Sequence, residues 1–513
     1  MDRRVFLKIG AGLITFSVAC SLDNKKVGKR KYSITIDSNR KIGHLARKAI
    51  DKATSKLYTT DVLVVGGGIA GLAAANSLTK RESVICEMGS RFGGTSSAVS
   101  IGNNEFAQGA HYDLSYPSNF GEEGLKLLEK LNIIEFNSTL NRWDFQDKKY
   151  LIKASNEEQC YTNGKWVPTV LVNSEIKNNF ISLLQAYSGK MPLPSTHISP
   201  EFNTLDQTTF AEYLNKYLPV TSDFMEAIDY QMLDDYGGSA SEISALAGIH
   251  YYKCRPYFNK PEPELFSPME GNYYFIKKMI AQLKPEQLKL ESLVVALNKT
   301  NNKWLVDVWE INNNRKVTYQ CNNVVYSGQK HLLKYLLPEA HATFSDVSYA
   351  PWVVINIELE NEPNLSSFWQ NDYLSKDAQF LGFVNSRVQS EKGNRVLTAY
   401  YCYPGIYDNL IQNIESDSEE ITRQTIGYMS TYYKIDLEPF VKQVYIKLLG
   451  HAMPIPKPGY LSKDRKLEQN GISFAGVDTG RLPLMFDALD SGIVGAGLIK
   501  HKKYLKKPSE TSY

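Results

Sequence analysis

The first regular pattern in the body of the chain is a short apolar run followed by a helix-like stretch. Residues 62–65 are apolar and mostly β-branched, as in a buried parallel strand. Residues 72–78 have good helix-forming composition, and residues 83–86 form a second short apolar run. This succession predicts the strand, helix and second strand of an α/β unit.

Glycines occupy the turn between the first strand and the helix. Gly66, Gly68 and Gly71 have the spacing Gly-x-Gly-x-x-Gly, with Ile69 and Ala70 before the last of them. In a dinucleotide-binding unit the first glycine allows a tight turn, the second lets backbone approach a pyrophosphate, and the third lets the helix pack on the strand. The N–H groups at the helix start then favour phosphate. The alternative is a structural turn that binds no nucleotide.

An acidic residue follows at the distance that such a unit requires. Glu87 ends the second strand 21 positions after Gly66, where a carboxylate accepts hydrogen bonds from a ribose. Because a carboxylate repels a 2′-phosphate, Glu87 favours FAD or NAD over NADP. The strand, the glycines, the helix and this acid together predict a bound dinucleotide.

The composition narrows the class of protein. At roughly 150 residues per domain, 513 residues allow two to four domains or one two-lobed unit. A net charge of +3 gives no general attraction to nucleic acid. The six Cys and eight His are scattered, and their spacing indicates neither a disulfide framework nor a metal site.

Residues 1–20 are interpreted as an export signal. Arg3 and Arg4 precede residues 9–22, which carry no charge and are too few to span a membrane. Paired arginines before such a segment resemble a twin-arginine export signal. Cys20 resembles the lipidated residue of a lipoprotein, although Ser17 stands where Leu is usual. Lipidation, plain cleavage and an uncleaved anchor stay open, as does a basic start on a buried helix. We expect a periplasmic protein or a membrane-anchored lipoprotein.

Residues 21–56 are polar and basic. They carry eleven Lys or Arg against three Asp, a net charge of +8, and the chain that starts at Cys20 carries +1, so the part from residue 57 onward carries −7. We interpret residues 21–56 as a tether on anionic lipid headgroups, where each basic residue contributes up to about 1 kcal/mol. A solubilising linker is the equal alternative.

The segment after Glu87 resembles a known superfamily. Arg91, Gly93, Gly94 and Thr95 form an Arg-x-Gly-Gly-Thr loop, and here the chain resembles the flavin amine oxidases and phytoene desaturases. In those proteins the loop crosses the pyrophosphate and ribitol of FAD, since adjacent glycines let main chain lie against a cofactor. The resemblance implies that Arg91 donates charge-assisted hydrogen bonds to phosphate. Thr95 stands where the family has a second arginine.

Family-like segments recur from about residue 58 to 500. Residues 106–111 resemble the strand that ends beside the isoalloxazine, and residues 471–479 resemble the last cofactor strand. Residues 290–295 resemble a segment that contacts adenine, and residues 487–493 resemble the start of the closing helix. Besides the residues already named, the resemblance implies FAD contacts at Met88, Gly109, Ala110, Val294, Gly476, Asp478 and Ala488.

The resemblance also implies a fold. We expect the α/β class, with a Rossmann-like FAD-binding domain of the GR2 type and an interleaved α+β substrate domain. The FAD-binding domain is expected in residues 57–114, 265–345 and 446–505, and the substrate domain in residues 115–264 and 346–445. No Cys lies where monoamine oxidases attach their flavin, so FAD is expected to be noncovalent.

The candidate active site departs from many amine oxidases. Those enzymes place a Lys on the strand that residues 348–356 resemble, and our register puts Val354 there. Residues 480–486 lack the aromatic residue that completes a two-ring cage for an amine nitrogen. His111 and His451 are the candidate catalytic residues, because a neutral imidazole can accept a proton from substrate near the flavin. A structural role is the alternative for both.

These observations favour an exported FAD-dependent oxidoreductase that resembles the amine oxidases. It would transfer a hydride from a C–N bond of an organic amine to flavin N5, with oxygen or a membrane quinone as acceptor. One alternative is a phytoene desaturase-like oxidoreductase or isomerase acting on a lipid-like substrate. The other is a noncatalytic flavoprotein.

Overall fold

The computed structural model describes most of the chain. The described residues are 32–48, 50, 52–109, 117–153, 158–172, 174–254, 264–365, 368–375, 379–390, 393–403 and 408–500. The predicted export signal and the predicted site residues Ala110 and His111 lie outside the described residues.

The strands are numbered here in chain order. They are β1 Ser33–Ser38, β2 Thr54–Thr59, β3 Val62–Val65, β4 Ser83–Cys86, β5 Ala98–Ile101, β6 Asn104–Ala107, β7 Ile134–Asn137, β8 Arg142–Phe145, β9 Leu151–Lys153, β10 Glu158–Thr162, β11 Lys165–Val167, β12 Glu264–Phe266, β13 Leu288–Lys289, β14 Ser292–Thr300, β15 Lys303–Glu310, β16 Arg315–Cys321, β17 Asn323–Tyr326, β18 Tyr349–Leu359, β19 Gln370–Leu374, β20 Phe380–Asn385, β21 Arg395–Cys402, β22 Val441–Pro454, β23 Glu468–Gln469 and β24 Ile472–Phe474.

The α-helices are numbered in the same way. They are α1 Arg40–Gly43, α2 Ile69–Ser77, α3 Gly121–Lys130, α4 Glu175–Leu184, α5 Phe210–Tyr217, α6 Ser222–Tyr236, α7 Ala245–Lys253, α8 Tyr273–Ile280, α9 Leu333–Leu336, α10 Pro338–His341, α11 Ser386–Gln389, α12 Asp408–Ser416, α13 Ser418–Tyr433 and α14 Met485–Lys500.

The first domain is built on a six-stranded sheet in the order β13-β4-β3-β17-β24-β23. Its first five strands are parallel. Val62 and Val64 of β3 pack in one core with α2 and α14, whereas Leu63 and Val65 pack in a second core with the sheet β14-β15-β16-β2. Because both faces of β3 are covered, all four of its residues are apolar and buried. The predicted Rossmann-like domain is confirmed.

The second domain is built on an eight-stranded sheet in the order β1-β22-β18-β21-β20-β19-β10-β11. Helix α13 packs with β18 and β21 in one core. Helices α4 to α7 form another core with residues from the ends of β18 and β21. The strands of this sheet come from three separate stretches of the chain, namely β1, β10 with β11, and β18 to β22, interleaved with strands of the first domain. The predicted α/β class with an interleaved α+β domain is therefore confirmed.

The predicted tether at residues 21–56 is wrong for much of its length. Strand β1 pairs in parallel with β22, from Ser33 opposite Gln443 to Ser38 opposite Leu448, and β2 pairs with β16. The physical reason is that exposed and partly buried positions alternate along β1, a pattern that the net charge of the segment does not show. Ile34 and Ile36 point to the same face and pack on the core beside α13, while the charged residues face the other way or lie between the strands.

The predicted domain boundary at residue 446 is also wrong. Strand β22 pairs with β18 from Val441 to Pro454, so residue 446 lies inside a strand of the second domain. The chain returns to the first sheet only at β23 and β24.

Within the described residues, no helix is both long enough and apolar enough to cross a membrane.

Candidate functional site

The backbone conformation and close contacts of the turn after β3 explain why its three motif positions are glycine. Gly66 has φ of +95°, which side chains rarely adopt. A Cβ at Gly71 would overlap the carbonyl oxygen of Gly66, so the third glycine lets α2 lie against the turn. A Cβ at Gly68 would meet nothing closer than the carbonyl oxygen of Gly93, at 3.8 Å. Gly68 therefore leaves open space at the start of α2, where backbone N–H groups favour an anion.

Glu87 supports the turn from the end of β4. Its Oε2 accepts a hydrogen bond from the backbone N–H of Gly67, at 2.8 Å, and its Oε1 accepts one from Gly89, also at 2.8 Å. Burial raises the pKa of this carboxyl group, and the two backbone donors oppose that rise. Each oxygen keeps a second lone pair for a ribose hydroxyl. Glu87 thus holds its own loop in addition to the predicted ribose contact.

The Arg-x-Gly-Gly loop crosses in front of this turn. Gly93 and Gly94 have φ of +134° and +57°, and a Cβ at Gly94 would lie 3.5 Å from the Cα of Gly68. Arg91 donates to the carbonyl oxygen of Ala98 at 2.9 Å and to Ser100 Oγ at 2.6 Å. Its guanidinium is therefore engaged by the protein, and the predicted phosphate contact of Arg91 stays a prediction.

The terminal segment meets the loop after β17 through a buried ion pair. Asp478 Oδ1 accepts from Lys330 Nζ at 2.8 Å, and Asp478 Oδ2 accepts from Tyr349 Oη at 2.8 Å. Lys330 is fully buried and also donates to the carbonyl oxygens of Gly328 and Ala475, at 3.0 and 2.7 Å. Burial lowers the pKa of Lys330 and Asp478 opposes that change.

This ion pair lies beside the glycine turn. A Cβ at Gly66 would lie 3.1 Å from the backbone nitrogen of Gly328, and Ser327 Oγ donates to the carbonyl oxygens of Val65 and Gly66 at 2.7 and 3.0 Å. The last cofactor-like strand and the first glycine turn therefore meet at one edge of the sheet, as the parallel order β3-β17-β24 requires.

One cavity of about 930 Å³ connects these elements. Every described residue of the predicted FAD site lines it except Gly71, which packs behind the turn. The lining members are Gly66, Gly68, Ile69, Ala70, Glu87, Met88, Arg91, Gly93, Gly94, Thr95, Gly109, Val294, Gly476, Asp478 and Ala488. Residues distant in sequence thus converge on one space, and their contacts with FAD stay predictions.

The candidate catalytic residue His451 lies in the wall of this cavity. Its ring stacks on that of His331, with centroids 3.9 Å apart, and both rings meet Tyr349 edge-on at 5.5 Å. Burial, with the nearby charges of His451 and Arg47, lowers the pKa of His331 to about 3, so His331 is neutral at pH 7. The catalytic role of His451 stays a prediction.

The second domain closes the cavity with a row of residues on β22, β18 and β21. Val354 lies opposite Lys447 on one side and Tyr400 on the other. Tyr400 and Trp352 lie edge to face, with centroids 6.0 Å apart. Lys447 forms an ion pair with Asp37 of β1 at 2.5 Å. Local sequence patterns do not indicate this pair of rings, because Trp352 and Tyr400 lie 48 positions apart in the sequence.

Carboxylates concentrate in the part of the cavity that the second domain lines. Asp234 and Asp235 end α6, Glu158 begins β10, and Asp372 lies on β19. Asp372 Oδ1 accepts from Tyr230 Oη at 3.0 Å. Sequence patterns did not indicate these acids, since they come from three elements that adjoin only in the folded chain. Among the residues that the structure describes, no group of three His, Cys, Asp or Glu could hold a metal ion.

Another buried carboxylate lies at the start of α14. Asp487 is fully buried, and its Oδ1 accepts from Ser195 N at 3.0 Å and from Ser195 Oγ at 2.6 Å. Its Oδ2 has no hydrogen-bond partner among the described residues. Burial raises the pKa of Asp487 to about 6, although Arg481 lies 3.9 Å away and opposes the rise.

Comparisons with known proteins agree with this architecture. The family model of the NAD(P)-binding Rossmann-like domain matches residues 64–122. The chain matches none of the curated proteins. Among solved structures, a candidate protoporphyrinogen oxidase from Exiguobacterium sp. 255-15 is 15% identical with a TM-score of 0.62, covering 88% of this chain and 100% of its own.

Two solved amine oxidases have a similar fold. Putrescine oxidase, bound to putrescine, is 15% identical with a TM-score of 0.62, covering 86% of this chain and 99% of its own. Cyclohexylamine oxidase from Brevibacterium oxydans IH-35A is 12% identical with a TM-score of 0.60, with the same coverage of 86% and 99%. At these identities the likeness shows the two-domain fold that the chain shares with these oxidases.

The raised pKa of Asp487 predicts a pH dependence of stability. A carboxyl group whose pKa is higher in the folded protein binds its proton more tightly there, so the protonated group stabilises the fold. This contribution is lost as the pH rises from 3.8, the ordinary pKa of an aspartate, to about 6, the pKa of Asp487 in the folded protein. Between about pH 4 and about pH 7, wild type should lose about 3 kcal/mol more unfolding free energy than Asp487→Asn. Urea unfolding at several pH values measures this difference. The control is Asp464→Asn, which alters an exposed carboxylate. Parallel pH curves for wild type and Asp487→Asn would show the prediction to be wrong.

Proposed function

We propose that the protein is an FAD-dependent oxidoreductase of the amine oxidase type. One observation carries the proposal: a single cavity runs from the glycine turn and Glu87 in the first domain to the rings of Trp352 and Tyr400 in the second. A dinucleotide cradle that opens into an aromatic pocket of another domain suits a cofactor whose reactive ring meets a substrate at the domain interface.

The residues present fit FAD. The open space at Gly68 and the start of α2 would take the pyrophosphate. Glu87 would hold the adenosine ribose, Val294 would lie at the adenine, and Gly476 with Asp478 would meet the ribitol. When bound, FAD accepts a hydride at N5 and passes the electrons to an acceptor, here oxygen or a quinone. The binding is noncovalent in this proposal.

The second domain would select and hold the substrate. A protonated or partly positive amine is attracted to the faces of Trp352 and Tyr400 and to the carboxylates of Asp234 and Asp372 in the same cavity. The buried apolar side chain of Val354 and the ring of Tyr400 beside it would help to exclude water from the reacting bond. His451 would accept a proton from the substrate, as the sequence analysis proposed. Together these groups favour an organic amine as the substrate class.

A pair of glycine variants separates cofactor binding from folding. Gly68→Ala places its methyl group in open space, so the fold should keep its stability while FAD binds about tenfold to hundredfold more weakly. Gly71→Ala forces a Cβ into the Gly66 carbonyl oxygen and should destabilise the fold by about 2 kcal/mol or more.

Thermal unfolding of the apoproteins and titration of flavin fluorescence with FAD give the two readouts for this pair. The proposal fails if the wild-type apoprotein shows no flavin spectrum after reconstitution with FAD. The role of Gly68 fails if Gly68→Ala binds FAD as tightly as wild type does.

Anaerobic mixing tests the substrate class. At least one member of a panel of amines and amino acids should bleach the flavin absorbance of the FAD-loaded protein, and dithionite should bleach it in every case. Trp352→Leu should raise the amine concentration that gives the half-maximal rate about threefold to thirtyfold, because one ring face is lost. Trp166→Leu, an exposed residue of the same sheet, is the control. Bleaching by a lipid-like donor alone would favour the desaturase alternative, and bleaching by dithionite alone would favour a noncatalytic flavoprotein.

We also propose that the protein is exported by the twin-arginine route to the periplasm or to a membrane-anchored state. The support is the sequence of residues 1–22. A route that carries folded proteins suits an enzyme that loads a noncovalent cofactor in the cytoplasm.

Export can be tested on the full-length chain. Arg3→Lys with Arg4→Lys should retain the protein in the cytoplasm, as measured by cell fractionation, whereas the control Lys8→Arg should not. Cys20→Ala should release the protein from membranes if Cys20 is lipidated. Equal export of the double variant and wild type would contradict the twin-arginine assignment.

A further inference from the structure

The segment predicted as a tether forms a wall of the cavity. The turn at residues 44–47 follows α1, and Ala46 is buried in the core that contains Val294 and Tyr326. A Cβ at Gly89 would lie 3.3 Å from Asn39 Nδ2, and a Cβ at Gly43 would lie 3.9 Å from Met88 Sδ. Residues 39–47 therefore lie over the loop that follows Glu87.

Two ion pairs hold β1 and the segment that follows it against β22 and α12. Lys447 of β22 meets Asp37 at 2.5 Å, and Arg40 donates through Nε and Nη2 to Glu415 at 3.1 and 3.0 Å. The pairing of β1 with β22 adds backbone hydrogen bonds. The segment is thus a fixed part of the folded body, and its side chains have defined positions toward the cavity.

Arg47 differs from the other cations of the cavity. Five Arg or Lys residues line the cavity within the described part of the chain: Arg40, Arg47, Arg91, Lys177 and Lys447. Four of them donate to a protein acceptor, namely Glu415, Ala98, Leu171 and Asp37 respectively. The Nε of Arg47 is buried and meets no acceptor among the described residues.

A buried guanidinium nitrogen without an acceptor is costly, and a ligand oxygen would satisfy it. The location narrows the choice of ligand. Arg47 directly follows Ala46, which packs in one core with Val294, and it lines the cavity with Glu87 and Met88. This is the part of the cavity that the proposed function gives to the ADP half of FAD.

The loop at residues 91–95 has few cationic side chains that could contact a diphosphate. The loop offers Arg91, which the protein itself engages, and Thr95 in the place of a second arginine. A diphosphate carries two negative charges and prefers charge-assisted donors. We propose that Arg47, which precedes the predicted FAD-binding domain in the sequence and packs against it in the structure, is the counter-charge to the diphosphate of FAD. This inference rests on the proposed function.

Binding of ADP to the apoprotein tests the inference without any measurement of activity. Arg47→Gln should weaken the binding of both FAD and ADP about tenfold to hundredfold, the range of one charge-assisted hydrogen bond, and should leave adenosine binding unchanged. Arg47→Lys should restore part of the loss. Lys48→Gln, which removes the neighbouring exposed charge, should bind all three ligands as wild type does.

A second measurement uses wild type alone, so it does not depend on a variant that folds. Phenylglyoxal modifies accessible arginines, and peptide mass analysis should show that ADP protects Arg47 whereas adenosine does not. Higher salt should also weaken ADP binding, because the contact is between charges.

The outcomes separate the two claims. If wild type binds neither FAD nor ADP, the proposed function fails and this inference fails with it. If wild type binds both and Arg47→Gln binds them equally well, only the assignment of Arg47 fails. Weaker FAD binding with unchanged ADP binding would place Arg47 at the flavin half and would overturn the inference.

Discussion

The buried ion pair between Lys330 and Asp478 holds together the parts on which the cavity depends. Lys330 follows β17, Asp478 follows β24, and Tyr349 on β18 of the second domain donates to the same carboxylate. A buried ion pair is tolerated only when the remaining hydrogen-bonding groups are satisfied. Lys330 meets this condition, because its three donors reach Asp478, Gly328 and Ala475. The pair thus fixes the loops at the ends of the two strands and joins them to the second domain.

The edge of the sheet gains its shape from close backbone contacts. Gly71 lets α2 lie against the carbonyl oxygen of Gly66, and Gly109 lets residue 109 approach the carbonyl oxygen of Thr95, where a Cβ would overlap it. Of the three motif glycines, Gly66, Gly68 and Gly71, only Gly68 has free space in front of it. The distinction between a glycine that serves packing and a glycine that serves a ligand is a property of the turn, which the spacing Gly-x-Gly-x-x-Gly does not show.

The second domain contributes charged, apolar and aromatic side chains to the wall of the cavity. Its sheet presents Lys447, Val354 and Tyr400 in register across three neighbouring strands. The sequence register predicts Val354 at the position where many amine oxidases have an ammonium group, and Lys447, the cross-strand neighbour of Val354, is paired with Asp37. At this point the cavity wall therefore presents an apolar and an aromatic side chain beside a paired ammonium group, with carboxylates elsewhere in the same cavity. The glycine motifs by themselves do not indicate this distribution of side chains in the second domain.

Local patterns determined the parts of the protein that depend on neighbours in sequence. Strands β3 and β4 have the predicted bounds, and α2 begins at Ile69, directly after Gly68, because hydrophobic run, turn residues and helix composition act over a few residues. Only the tertiary structure decided which distant residues meet. No local pattern marks Lys330 as a buried residue. The one indication in the sequence is that it follows a predicted parallel strand, at whose carboxyl end ligands commonly bind. Trp352 and Tyr400 became a pair through strand pairing. The basic segment at residues 32–48 is part of the fold because Ile34 and Ile36 pack one face of β1 on the core, and because β1 pairs with β22, about 400 residues later in the sequence. The net charge of a segment does not reveal such a partner.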